Sequence, residues 1–228
     1  MCGRVTLTID KEELMEILGE VYGVDDVRDM PSTPSYNMAP SNELLSVIEA
    51  KGQRRAGLLT WGFVPKWIKE EKISHGLINA RSESIEIKPT FKTSFEKRRC
   101  IVFADHFYEW KRDTTKRPFI FQVTNQPLMP LAGIYTIYTK SDGSKLSTCA
   151  VVTCGPNEVM APIHHRMPVI LTPETIGTWL SPETSRLTLK EIMVPYPPEY
   201  TDTYEVSTYV NSVRNKDYKC IEPLEKAL

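Results

Sequence analysis

The chain has 228 residues, of which 41% are hydrophobic, 25% charged and 9% aromatic, and its formal net charge is −1. This is ordinary globular composition, and it excludes a disordered or fibrous protein. No apolar run approaches the ~20 residues of a membrane-spanning helix, and the start MCGRVTLTIDKEEL has no apolar stretch behind a basic end, so no membrane partner and a cytoplasmic location are expected.

Asp10 followed by Glu13 reads as a capping box, and Leu14, Ile17, Leu18 and Val21 recur at helical spacing, which predicts an amphipathic helix ending near Gly23. The stretch from Pro31 to Asn42 carries three prolines among polar residues and reads as a loop without regular structure. Runs rich in β-branched and aromatic residues at 44–48, 57–63, 99–103, 118–123, 131–139 and 148–153 read as short strands. Asp142-Gly143 between the last two is a hairpin turn, because this pair readily supplies positive φ. Thr172-Pro173 opens a helix that carries Ile176, Trp179 and Leu180 to the core, and a second short helix covers Ser185 to Met193. The prolines at 195, 197 and 198 form a stiff connector, and residues 204–210 read as a last strand. The expected fold is one α+β domain over residues 1–228, mainly antiparallel β in a barrel-like core with peripheral helices.

Charge is unevenly spread: residues 1–50 carry −7, residues 51–117 carry +8 and the remaining 111 carry −2. The basic middle third fits an anionic partner, and it equally fits a solvated face. Five cysteines, at 2, 100, 149, 154 and 220, are an odd number without an export signal and argue against a disulfide framework. Cys149 and Cys154 precede His164 and His165, but the spacing matches no common zinc pattern, so neither a metal nor another cofactor is expected.

The most informative position is the second. If Met1 is removed, Cys2 carries a thiol and a free α-amine on adjacent carbons. The amine, with a pKa near 8, and the thiol, near 8.5, are both available nucleophiles close to neutral pH. An aldehyde could form an imine with nitrogen and be captured by sulfur as a five-membered thiazolidine. Cys2 could equally act through sulfur alone, as in an N-terminal-nucleophile amidohydrolase, or be a small residue at a frayed end. Three further residues bear on the choice. Asn79 has an amide that can donate and accept, or can cap a turn. Glu109, between Tyr108 and Trp110, is either a carboxyl whose pKa is raised by apolar neighbours or the exposed face of an alternating strand. His164 is a proton carrier titrating near pH 6.5, or a structural histidine.

Seven blocks in order, MCGR at the start, YNMAPS (36–41), WGFVPKW (61–67), INARSE (78–83), CIVFADHFYEW (100–110), IHHRMPVIL (163–171) and VSTYVNSVRN (206–215), resemble the SRAP family, the SOS-response-associated peptidases also called abasic-site processing proteins. The resemblance implies that Cys2, after loss of Met1, forms a covalent thiazolidine crosslink with abasic sites in single-stranded DNA. It implies that Asn79 orients the abasic sugar, that Glu109 stabilises the ring-opened sugar and the reacting amine, and that His164 moves protons during ring opening and closure. Arg4, Arg81 and Arg166 match residues that grip phosphates, while Pro40, Trp67 and Ile68 match apolar side chains set against bases. Arg98, Arg99, Arg112 and Arg117 fall outside these roles and read as solvated basic rim. The chain departs from the commonest pattern by having His165 where an Asp is frequent, and the role stays with His164 because Arg166, Met167 and Pro168 fix the register. The expected partner is abasic single-stranded DNA, with the protein a monomer and AP-lyase a side activity. The competing readings are a thiol (auto)peptidase using Cys2 and a noncatalytic single-strand binder.

Overall fold

Strands rich in buried β-branched and aromatic side chains close on themselves at the centre of the molecule. The computed structural model describes residues 2–70 and 76–224. In chain order the elements are β1 (Val5–Leu7), α1 (Lys11–Glu20), β2 (Asp26–Val27), β3 (Ser35–Met38), β4 (Glu43–Ala50), β5 (Gln53–Trp61), β6 (Asn79–Arg81), α2 (Pro89–Lys97) and β7 (Arg99–Ala104). There follow β8 (His106–Trp110), β9 (Pro118–Val123), β10 (Met129–Thr139), β11 (Lys145–Cys154), β12 (Met167–Pro168), α3 (Pro173–Leu180), α4 (Arg186–Ile192) and β13 (Thr201–Glu205).

β11, β10, β7, β4 and β5 pair antiparallel in that order, and β5 returns to β11 in a parallel pairing of Thr60 with Thr148 and Trp61 with Cys149. A five-stranded barrel results, and closure removes the free edges that an open sheet would expose. β7 is buried at every residue, as expected of a strand covered on both faces. A second sheet in the order β13-β9-β8-β1-β3 shares the main core through Val5, Leu7, Phe107 and Phe121. No helix among the described residues is long and apolar enough to cross a membrane.

Local chemistry accounts for the helices that the sequence announces. The Asp10 carboxylate accepts from the N–H groups of Glu12 and Glu13, and α1 buries Leu14 and Leu18, while Val21 at its end is 40% exposed rather than in the core. α3 begins with reciprocal Thr172 and Thr175 bonds, has Pro173 in its first turn, and buries Ile176, Trp179 and Leu180. Two expectations fail. The proline-rich stretch contains the regular strand β3, because Pro31 and Pro34 precede the strand and Pro40 follows it, so that no proline falls within it. The predicted last strand over 204–210 is instead β13 followed by a 3-10 turn at Thr208–Asn211, started by Ser207 accepting from the Tyr209 N–H.

α2 lacks a side-chain cap, and its signal is only Pro89 at the first turn with Phe91 and Phe95 one turn apart. Its C-terminus is held instead by Arg99, which is 6% exposed and donates to the carbonyls of Phe95 and Trp179, each at 2.6 Å, and to that of Ser181. Arg99 is therefore no solvated rim residue. Its guanidinium ties the ends of α2 and α3 together. Arg99→Ala, which leaves those carbonyls unsatisfied, is expected to lower the unfolding free energy by about 2–4 kcal/mol. The check is a urea titration, in which Lys97→Ala should leave the midpoint near wild type.

Candidate active site

The site begins with the pairing of β1 and β8. Val5 lies opposite Phe107 and Thr6 opposite His106, and the Tyr108 N–H donates to the Arg4 carbonyl at 2.9 Å. Continued toward the N-terminus, this register carries Cys2 into the core, where its side chain is fully buried. Along β8 the side chains alternate: Tyr108 enters a small cluster with Ile120 and Val206, and Glu109 turns to the opposite face. Glu109 is 3% exposed, so it is not the solvent face of an alternating strand.

Asn79 arrives from β6, which extends the barrel by parallel pairing, Asn79 opposite Val151 on β11. The chain turns into β6 at Gly76, whose φ is +65° and where an added Cβ would stand 2.3 Å from the Gly62 carbonyl oxygen. Asn79 Nδ2 donates to the Cys2 carbonyl at 2.8 Å, and its buried Oδ1 has no hydrogen-bond partner among the described residues. That acceptor is available to a donor on a bound molecule.

His164 comes from the turn after Asn157, whose Oδ1 accepts from the Met160 N–H and whose Nδ2 donates to the Tyr196 carbonyl. Its Nδ1 lies 3.7 Å from Glu109 Oε1 and 3.1 Å from the Arg166 carbonyl oxygen, to which it donates in the tautomer that leaves Nε2 as an acceptor. The fold thus unites Cys2, Asn79, Glu109 and His164, although the outermost pair is 162 positions apart in sequence.

Burial controls the protonation of this cluster. It raises the Glu109 carboxyl to about 7 and lowers the His164 imidazole to about 4. The expected order is inverted: near neutral pH the carboxyl, not the imidazole, is the group that gains and loses a proton. The Cys2 thiol is pushed well above its ordinary range by burial and by the neighbouring Glu109, so it is protonated at rest. Glu109 and His164 open onto a cleft of about 540 Å³ that is also lined by Trp110, Lys111, Arg112, Asp113 and Lys116.

The residues expected to touch DNA divide. Arg81 and Trp67 are exposed, Trp67 by 70%, and Pro40 and Ile68 are half-buried. Arg4 instead spends Nη1 on Asn37 Oδ1 and the Val210 carbonyl and lies over the Trp110 ring. Arg166 is 8% exposed and forms a bidentate pair with Glu83, with a further bond to the Thr153 carbonyl. These two arginines hold the framework of the site, because phosphate-gripping geometry and carboxylate- or carbonyl-gripping geometry are the same for a guanidinium. Lys111 and Lys116 were not singled out by the sequence. The signal available was the basic run KRDTTKR immediately after Glu109 and Trp110. Met1, whose removal the thiazolidine chemistry requires, lies outside the described residues.

The structure thus holds a buried cysteine at position 2 beside an amide, a neutral imidazole and a carboxyl poised near neutrality. Comparison with known proteins shows the family. The family model described as SOS response associated peptidase (SRAP) matches residues 1–213, and the chain belongs to this family. "Abasic site processing protein YoqW" of Bacillus subtilis is 39% identical over 97% of this chain and 99% of its own, and "Abasic site processing protein YedK" of Escherichia coli is 29% identical over 98% and 100%. The crystal structure of a protein from Bacteroides thetaiotaomicron, 24% identical, shares the fold over 100% of both chains with a TM-score of 0.81.

The Glu109 assignment has a thermodynamic consequence. Its carboxyl ionises near 4.5 in the unfolded chain and near 7 when folded, so the folded state binds more protons between these values. Stability should fall as pH rises from 4.5 to 7, by about 3 kcal/mol relative to Glu109→Gln, and the difference should level off above 7. Urea unfolding of both proteins across this range measures it. Parallel pH curves would show a carboxyl ionised like any exposed one.

Proposed function

We propose that this protein, once Met1 is removed, covalently captures abasic sites in single-stranded DNA through both heteroatoms of Cys2, acting as a monomer in the cytoplasm. The observation that carries the reading is the convergence of Cys2, Asn79, Glu109 and His164, the last two of which open onto a cleft with a basic rim. The names of the relatives, abasic site processing proteins, support the choice of lesion.

The ring-opened sugar of an abasic site presents an aldehyde at C1′. Neutral His164 takes the proton of the C1′ hydroxyl and returns it to the ring oxygen as the C1′–O4′ bond breaks, so ring opening releases no net proton. The Cys2 amine then adds to C1′, the protonated Glu109 carboxyl supplies the proton with which the former carbonyl oxygen leaves as water, and the Glu109 carboxylate takes back the nitrogen-bound proton, giving the neutral imine. The thiol adds across the C=N bond: sulfur bonds to C1′, the sulfur-bound proton passes to nitrogen, and the thiazolidine closes. The net change is the loss of one water. Asn79 holds the Cys2 carbonyl and offers Oδ1 to a sugar hydroxyl. The imine could also undergo β-elimination, which accounts for a lyase side activity.

The thiol rests protonated, so the peptidase alternative would need a base, such as the Cys2 amine, to remove its proton as it attacks. In aldehyde capture sulfur attacks last and within one molecule, so a protonated resting thiol is no obstacle. Exposed Trp67 suits stacking on an unpaired base, worth about 1–3 kcal/mol, and exposed Arg81 is free to meet a phosphate.

Two outcomes test the reading. Intact mass spectrometry after mixing with uracil-glycosylase-treated single-stranded DNA should show Met1 absent and the oligonucleotide added less one water, with no adduct from Cys2→Ala. Glu109→Gln should form the adduct at least about 10²-fold more slowly and lose the pH dependence centred near 7. A wild-type protein that yields no detergent-resistant adduct overturns the proposal.

A further inference from the structure

Two of the three arginines expected to grip phosphate are occupied inside the protein, which leaves the question of what holds the backbone next to the reacting sugar. Glu109 and His164 share their cleft with three cations from the segment joining β8 to β9. Of these, Lys111 lies 3.5 Å from the Asp113 carboxylate, so part of its field is cancelled. Lys116 is at an exposed turn with positive φ. Arg112 differs from both because the protein fixes it at two points. Its backbone N–H donates to the Ile163 carbonyl at 3.2 Å, and its Nη1 donates to His165 Nδ1 at 2.7 Å. The His165 ring in turn lies against that of His164, with centroids 4.5 Å apart.

The partner's chemistry matters. An arginine can only donate, so His165 accepts at Nδ1 and is the neutral tautomer with its proton on Nε2. A neutral acceptor orients the guanidinium without cancelling its charge, which a carboxylate in the same place would do. Among the described residues no carboxylate lies within ion-pair distance of Arg112. The cleft therefore contains an exposed guanidinium with one donor fixed by His165, close enough to Glu109 to favour its ionised form but held in no ion pair among the described residues.

We infer that Arg112, oriented by His165, is the phosphate-binding cation of the cleft and holds the phosphodiester beside the abasic sugar during capture. The inference rests on the proposed reading for the identity of the ligand, but it concerns noncovalent binding and can fail separately. His165 is a positioning residue: it acts through Arg112.

The probe is a single-stranded oligonucleotide with one tetrahydrofuran abasic analogue, which has no aldehyde and cannot be crosslinked. Binding to the full-length protein is measured by fluorescence anisotropy between 50 and 200 mM salt. Arg112→Gln should weaken binding about 5- to 20-fold and reduce the slope of log K against log salt by about 0.7, the value for one phosphate contact on a single strand. His165→Asp should do the same, because the new carboxylate pairs with Arg112, and Arg112→Lys should keep the slope. Lys97→Gln, on the exposed face of α2, controls for net charge and should keep both slope and affinity. Wild-type slopes in Arg112→Gln and His165→Asp would overturn the inference, and so would an equal loss in Lys97→Gln. A protein that binds the analogue with these slopes but never forms an adduct with true abasic DNA would sink the capture mechanism and leave the phosphate site standing.

Discussion

The register of β1 on β8 places the leading residues of the chain, which in most proteins fray into solvent, inside the core. From that single pairing follow the complete burial of Cys2, the contact of its carbonyl with Asn79, and the presence of a buried carboxyl beside a buried thiol. Burial disfavours charge on both Glu109 and His164, and because one is an acid and the other a base, it moves them in opposite directions. Near neutrality His164 is thereby neutral and Glu109 about half protonated, so the pair holds one exchangeable proton.

The pairing is short, three residues on β1, and would be weak alone. The other end of the chain reinforces it. Asn37, fully buried on β3, donates through Nδ2 to the carbonyls of Val210, Ser212 and Asn215 and accepts from Arg4. Arg4 reaches the Val210 carbonyl as well, and Trp110 donates to Asn211 at 2.7 Å. The segment after β13 thus straps β1 and β3 in place. Holding reactive groups in fixed geometry lowers the entropy lost on the way to reaction, and it needs a rigid surround of this kind.

Arginine has two uses in this fold, and burial separates them. Arg4, Arg99 and Arg166 each satisfy several carbonyl or carboxylate oxygens and join segments distant in sequence. Arg81 and Arg112 are exposed and keep their charge toward solvent. The same fork of donors serves both purposes, so residue type alone does not distinguish a clamp from a ligand-binding group.

Much was legible without coordinates. α1, α3 and α4 are announced by their caps and periodicity, six barrel and sheet strands by their composition, and Asp142-Gly143 by the positive φ it supplies at Gly143. The chemistry of a cysteine at position 2 belongs to its covalent structure and needs no fold. Strands of two or three residues such as β1 and β6 carry too little pattern to be seen, since only their pairing partners make them strands. α2 was missed for want of a cap, and Arg99 misjudged because a guanidinium's partners are carbonyls, which every residue has. The inverted protonation of Glu109 and His164 was equally out of reach. A pKa is set by what surrounds a group in three dimensions, so the sequence determined which reactive atoms are present, and only the tertiary structure decided which of them hold protons and which face the cleft.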